Sequence, residues 1–343
     1  MAKLIKQIET RVVRSYRGGK LIDEFLGKEN PSDCFLPEDW ISSFVEAKNP
    51  DYIPNEGITR VMSDKGERLI TNVVSPADFG SGRDVPGVLI KLLDSAERLG
   101  IQVHPTPEFS KKHFGTPYGK TECWHILGTR EDMDSAVYIG FKEGVTRQIW
   151  KDLYQKQDIP KMLDSMHRFE VKPGDTILVT AGSPHAIGAG CFLLEIQEPS
   201  DYTMRVEKTT LAGTVLSPWQ IHYGAGEENM LDCFIYDGLS REDARKRYFL
   251  TPQVTEGENF THSKLVTYAD TTCFKLEKSE GVYEFAPDSF VTLVATSEGS
   301  IATAEEEIKV SKGDRVFVPA GSGKITINGS SIICYPPKVQ ESK

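Results

Sequence analysis

The chain has 343 residues, of which 39% are hydrophobic and 26% charged, with a formal net charge of -10. That composition suits one or two folded domains with a sizeable core and excludes a disordered chain. The acidic balance argues against a nucleic-acid partner, and no run of 18 apolar residues is present to span a membrane. The first residues carry frequent charges instead of the apolar stretch of a signal peptide. Six scattered cysteines (Cys34, Cys123, Cys191, Cys233, Cys273 and Cys334) contain no CxxC pair, so reduced thiols and a cytoplasmic location are expected.

The first 60 residues are rich in loop formers. Within them, segment 36–45 has Pro37, Glu38 and Asp39 in its first turn and the pairs Trp40/Phe44 and Ile41/Val45 at i,i+4. This predicts a short amphipathic helix near 36–46. From residue 86 the texture changes to short apolar, β-branched or aromatic runs bounded by Gly and Pro: 88–93, 100–105, 121–127, 136–141 and 176–179. Such runs predict a β-sandwich or barrel. A helical insertion is expected over 146–168, with Thr146 and Asp158 as N-caps and Pro160 early in its second helix. Another short helix starts at Ser240, with Asp243 in the capping position and Arg245, Lys246 and Arg247 toward its end. After 260 the chain becomes strand-like again through Ile333.

One internal echo is present. Gly174-Asp175 and Gly313-Asp314 align so that Val179/Val318, Ala181/Ala320, Gly182/Gly321 and Ser183/Ser322 match without a gap. A Gly-Asp turn, a buried strand and a Gly-Ser turn fit a repeated β unit. Where the first copy has His185, the second has Lys324, which predicts two related halves with a metal-capable site only in the first.

Four residues carry that site. Gln102 and His104 are two apart on an expected strand, so they leave the same face; Lys120 and Glu122 are likewise two apart, and His185 follows a strand in a Gly-Ser-Pro-His turn. Taken singly, each has an ordinary structural explanation. Together, two imidazoles, a carboxylate and an amide oxygen form a set suited to Zn²⁺, with Fe²⁺, Mn²⁺ or Co²⁺ also accommodated. His113, His125, His167, His222 and His262 lack comparable partners and read as structural or surface residues.

Gln-Val-His-Pro at 102–105, Gly-Lys-Thr-Glu-Cys-Trp at 119–124 and Pro-His-Ala-Ile-Gly at 184–188 resemble the type I phosphomannose isomerases. The run at 88–94 resembles the strand ahead of the first motif in that family. The likeness runs from about residue 15 onward and is strongest between 86 and 205. It implies a mostly β fold of two cupin-type β-barrels (jelly rolls) with a small helical insertion. A catalytic N-terminal domain would span 1–245 and a C-terminal cupin-like domain without metal 246–343. It further implies a zinc-dependent aldose–ketose isomerase acting on a sugar phosphate, with Gln102, His104, Glu122 and His185 holding one Zn²⁺. Arg205, Asp201, Lys120 and Glu195 fall at the positions of the family's active-site residues.

Isomerisation moves a proton between C2 and C1 through a cis-enediol, and an ordinary carboxylate is too weak a base unless desolvation strengthens it. Asp201, Lys120 and Glu195 are the acid–base candidates, and Arg205 supplies a fixed positive charge. Asp201 could instead cap a turn, and Glu195 could merely neutralise Arg205. The chain departs from the family in having Thr106 after the first motif and Val-Glu-Lys-Thr-Thr-Leu after Arg205. The phosphate-binding residues therefore remain open among Lys208, Lys111, Lys112 and Arg83. An unphosphorylated sugar, a non-catalytic sugar-binding protein and an Fe²⁺ dioxygenase are the alternatives.

Overall fold

The computed structural model describes residues 3–63 and 65–339, and antiparallel strands dominate it. The central sheet has seven strands in the order Phe249–Leu250, Thr176–Val179, Glu122–Thr129, Cys191–Gln197, Leu89–Asp94, Glu38–Ile41 and Arg11–Val12. On one side of it stands a five-stranded sheet of Met166–Glu170, Ala136–Phe141, His185–Ile187, Gln102–Val103 and Met204–Arg205. On the other stands an eleven-stranded sheet, built mostly from residue 253 onward.

A sheet covered on both faces has no polar side, so its strands lose the usual alternation. Leu89–Asp94 and Cys191–Gln197 are accordingly buried at every position. One face, with Ile90, Leu92, Cys123, Leu194 and Ile196, packs on Leu265, Leu276, Phe290, Phe317 and Ile332 of the eleven-stranded sheet. The opposite face, with Leu93, Trp124, Ile126 and Leu193, packs on Val137, Ile139 and Ile187 of the five-stranded sheet. Helices Arg147–Lys156, Ile159–Asp164, Pro218–His222 and Glu227–Asp232 then cover the outer side of the five-stranded sheet, burying Trp150, Tyr154, Met162, Ile221 and Met230. A separate core of Val291, Leu293, Val316, Val318 and Ile333 fills the second half. Among the described residues, no helix is long and apolar enough to cross a membrane.

The expected strands are present, with ends shifted by a few residues, and the helical insertion resolves into two helices. Thr146 accepts from the Ile149 N–H and Asp158 from the Lys161 N–H, each at 3.3 Å. Ser240 caps Arg241–Tyr248 through the Asp243 N–H at 3.1 Å. Both copies of the internal echo turn at a left-handed glycine (Gly174, φ 95°; Gly313, φ 89°) and run into a fully buried four-residue strand.

Two expectations are corrected. The segment near 36–46 contains the strand Glu38–Ile41, paired to Leu89–Asp94 and buried at all four positions. Trp40 and Ile41 lie in that strand and Phe44 and Val45 in the irregular segment after it, so their i,i+4 spacing marks no helix face. The barrels are also not closed: no ladder joins the five- and seven-stranded sheets, which face each other as an open jelly roll. The N-terminal strand Ile5–Ile8, moreover, pairs with Arg315–Val318, so the start of the chain lies in the second half's sheet.

Leu194 is fully buried between the central and eleven-stranded sheets. Leu194→Ala should lower unfolding stability by about 2–5 kcal/mol, read as a fall in the urea midpoint with an unchanged slope; a change below 1 kcal/mol would mean that the two halves do not share a core there.

Candidate active site

The gap between the central and five-stranded sheets opens into a cleft of about 830 Å³. The five-stranded sheet sets Arg205, Gln102 and His185 directly opposite one another on adjacent strands, and register partners in an antiparallel sheet share a face. The central sheet contributes Glu122 at the start of one strand and the cross-strand pair Lys91/Glu195. His104 stands just past Gln102–Val103, where the Gly182 N–H donates to its carbonyl at 2.9 Å. Lys120 precedes Glu122 in a loop fastened by Glu198, which accepts from the Gly119 and Thr121 N–H groups at 3.1 and 2.8 Å.

The structure brings Gln102, His104, Glu122 and His185 together. Donor atoms of His104, Glu122 and His185 lie within 4.8 Å of one another, and all three residues are at most 1% exposed. His104 Nε2 is 2.9 Å from Glu122 Oε2, and His185 Nε2 is 3.6 Å from Glu122 Oε1. The amide of Gln102 reaches His185 Nε2 at 3.1 Å, and a flip of that amide would offer its oxygen instead.

Carbonyl groups orient both rings. His104 Nδ1 lies 3.2 Å from the Tyr202 carbonyl and His185 Nδ1 lies 2.9 Å from the Ser183 carbonyl. Proton donation there leaves each Nε2 as a lone pair facing the shared centre, the arrangement that metal-binding histidines use. Burial pushes the His104 imidazole down to about 3, with Lys120 adding to the push and Glu122 opposing it; burial lowers His185 as well. Burial works upward on Glu122, but His104 and Lys120 outweigh it and hold the carboxyl well below its ordinary value. Neutral imidazoles around an ionised carboxylate are metal donors in the right protonation state.

Glu122 Oε2 is buried without a well-aligned hydrogen bond, although Lys120 Nζ stands 3.1 Å away. Two lone pairs and an orphaned anionic oxygen around one point fit a small cation. By chemistry this N/O set suits zinc.

The remaining candidates divide. Lys120 lies against the cluster, 2.9 Å from His104 Nε2, and lines the cleft. Glu195 also faces the cleft. Burial raises its carboxyl, Glu122 adds to this, and Lys91, with its Nζ 3.2 Å away, opposes it. It neutralises Lys91, not Arg205. Asp201 accepts from Arg14 at 3.1 Å and from the Lys48 N–H at 2.8 Å, and although burial raises its carboxyl, Arg14 and Lys91 outweigh that and hold it below the usual range. Arg205 donates to the Gln220 and Thr203 carbonyls at 2.7 and 3.2 Å and meets the Tyr223 hydroxyl at 3.2 Å. Lys208, Lys111, Lys112 and Arg83 do not line the cleft, and Lys208 pairs with Glu227 at 3.1 Å.

Sequence reasoning missed Arg14, Tyr16, Glu38 and Lys91. Glu38 accepts from the Tyr16 hydroxyl at 2.7 Å and the Trp40 indole at 2.8 Å, and it pairs with Arg14 at 3.0 Å and Lys91 at 3.8 Å. One signal was available: Lys91 is a lone charge inside an apolar run, and an interior strand keeps a charge only against a partner.

Relatives share this architecture. The mannose-6-phosphate isomerase ManA of Bacillus subtilis (strain 168) is 26% identical over 242 residues, covering 71% of this chain and 72% of that protein. The crystal structure of the mannose 6-phosphate isomerase from Bacillus subtilis matches with a TM-score of 0.76 at 20% identity, over 98% of this chain and 100% of that one. The chain is similar in sequence to proteins named mannose-6-phosphate isomerase and shares the fold of one. A zinc-bound mannose 6-phosphate isomerase also matches, with a TM-score of 0.71 at 15% identity, over 98% of this chain and 100% of that one. No family model matches the chain.

Arg14 is the shared partner of Glu38 and Asp201, both buried. Arg14→Ala would take the nearest cation from two buried carboxylates, so stability should fall by about 3–5 kcal/mol in chemical denaturation; a loss under 1 kcal/mol would show that the pairs contribute nothing.

Proposed function

We propose that this protein is a zinc-dependent aldose–ketose isomerase interconverting mannose 6-phosphate and fructose 6-phosphate, with the active site in the N-terminal half. The observation that carries this is the buried His104–Glu122–His185 cluster, in contact with Gln102 and Lys120, which line a cleft that also holds Glu195. The named relatives and the zinc-bound neighbour support the same reading. Six unpaired cysteines suit a reducing cytoplasm.

Gln102, His104, Glu122 and His185 would hold the metal. Bound there, a divalent ion supplies Lewis-acid stabilisation of the charge that builds on a sugar oxygen during enolisation, worth several kcal/mol. The chain does the rest. Glu195, made more basic by burial, takes the proton from one sugar carbon and returns it to the next as the hydroxyl proton passes between the two sugar oxygens; while Glu195 is protonated, the Lys91 charge beside it is free to offset the negative charge on the sugar. Lys120 donates to the ring oxygen for opening, from its place between the metal donors and the cleft. Arg205 fixes the substrate's oxygens with a charge that never titrates. Asp201, bound by Arg14 and kept ionised, anchors the cleft wall and is too weakly basic to share the carbon chemistry.

Purified protein should interconvert the two sugar phosphates, lose that activity to a chelator and regain it with one zinc per chain. His104→Ala and His185→Ala should each lose bound zinc and activity together; metal analysis that finds full zinc in both would overturn the ligand assignment. Glu195→Gln should retain zinc and lower kcat by roughly 10²–10⁴, and a kcat within threefold of wild type would remove Glu195 from the proton transfer.

A further inference from the structure

A phosphorylated substrate carries a dianion, which needs cations that are not already neutralised. Five cations line the cleft: Arg14, Lys91, Arg98, Lys120 and Arg205. Four are committed to carboxylates. Arg14 pairs with Glu38 and Asp201, Lys91 with Glu195, Lys120 with Glu122, and Arg98 grips Glu207 through two nitrogens at 2.6 and 2.9 Å. Among the described residues, only Arg205 of these five has no carboxylate partner. Its Nη1 is engaged by uncharged oxygens, which orient the guanidinium without cancelling its charge.

Arg205 also lines a second hollow that adjoins the cleft and shares Arg14, Ser15 and Leu216 with it. Lys48 lines that hollow. Its backbone is pinned by the bond from its N–H to Asp201, and its Nζ stands 4.5 Å above the Tyr202 ring. Among the described residues Lys48 makes no ion pair. Tyr202 packs on Tyr223 at 5.1 Å, and Tyr223 in turn touches Arg205, so the two cations are mounted on one aromatic cluster. Two carboxylates share the hollow: Glu56 is occupied by the Val13 N–H and the Asn49 amide, and Asp51 is exposed.

We propose that Arg205 and Lys48 form the subsite for the substrate's phosphate, in the hollow on the far side of Arg205 from the His104–Glu122–His185 cluster. This rests on the isomerase reading for the identity of the substrate. The sugar then spans from the metal donors at one end to the two free cations at the other. Discrimination for phosphorylated over free sugar resides in a lysine that lies outside every motif of the chain.

Two measurements test it. In Lys48→Ala, the ratio of kcat/KM for mannose 6-phosphate to kcat/KM for mannose should fall about tenfold, the worth of one charge-assisted contact of about 1.4 kcal/mol. An unchanged ratio, whether both values fall together or neither moves, overturns the subsite. The second measurement needs no turnover. Trp219 lines the hollow at 46% exposure while Trp40, Trp124 and Trp150 are fully buried, so inorganic phosphate titrated into the protein should change a fluorescence signal that is absent in Trp219→Phe. Lys48→Ala should weaken that phosphate binding about tenfold. Equal affinity in both proteins, or no phosphate-dependent signal in the wild type, overturns the proposal. Should neither sugar be isomerised while phosphate still binds through Lys48, the isomerase reading fails and the anion site stands.

Discussion

The fold's polar interior depends on keeping the Glu122 carboxylate, 1% exposed, between two packed sheets. An isolated ionised carboxylate in such a place would cost far more than any single contact returns, so its surroundings must compensate it. Lys120 and the Trp124 indole converge on it, and the Nε2 lone pairs of two neutral imidazoles face it, a set that a bound cation would complete. Compensation then propagates. Glu195 is raised by the nearby Glu122 charge and needs Lys91; Lys91 also faces Glu38, which needs Arg14, which in turn holds Asp201. Alternating signs run from the metal-capable cluster along the wall of the cleft. Arg14 and Lys91 each serve two carboxylates in this series, so the loss of either cation is felt at two places.

Much of this was legible in the amino-acid order. Period-two spacing at Gln102/His104 and Lys120/Glu122 put pairs of side chains on one face, and the Gly and Pro boundaries marked the strands that carry them. What escaped was whatever depends on the third dimension. Segment 36–45 reads differently in space because a strand buried on both sides shows no alternation, and Phe44 and Val45 in the irregular segment after it complete a helix-like spacing. Glu38 and Arg14 belong to no motif, and only the pairing of Glu38–Ile41 with Leu89–Asp94 brings them to Lys91. Phosphate-binding candidates chosen for charge alone do not line the cleft, because charge along the chain does not reveal which surface a side chain joins.

The internal echo shows how one β unit serves two ends. In the first half, the strand Thr176–Val179 leads through its Gly-Ser turn to His185, whose side chain turns inward beside Gln102. In the second, Arg315–Val318 leads to Lys324, which is exposed and pairs with Glu284 at 2.9 Å. A lysine carries no lone pair for a metal while protonated, and this one does not face the interior. The second strand is used differently: its outer edge receives Ile5–Ile8, and Arg315 forms a buried ion pair with Asp39 of the central sheet.

That attachment bears on the site. Asp39 lies between Glu38 and Trp40, the two residues that meet Arg14 and Lys91 at the cleft, and strand alternation sends Asp39 to the opposite face. The short strand Glu38–Ile41 is therefore held from both sides, by the second half through Asp39 and by the cleft network through Glu38. A strand of four residues, flanked on its outer side only by the two-residue strand Arg11–Val12, would otherwise be among the easiest parts of the fold to open. The second half's sheet thus contributes rigidity, because through Arg315 it fixes the strand from which Glu38 sets the positions of Arg14 and Lys91.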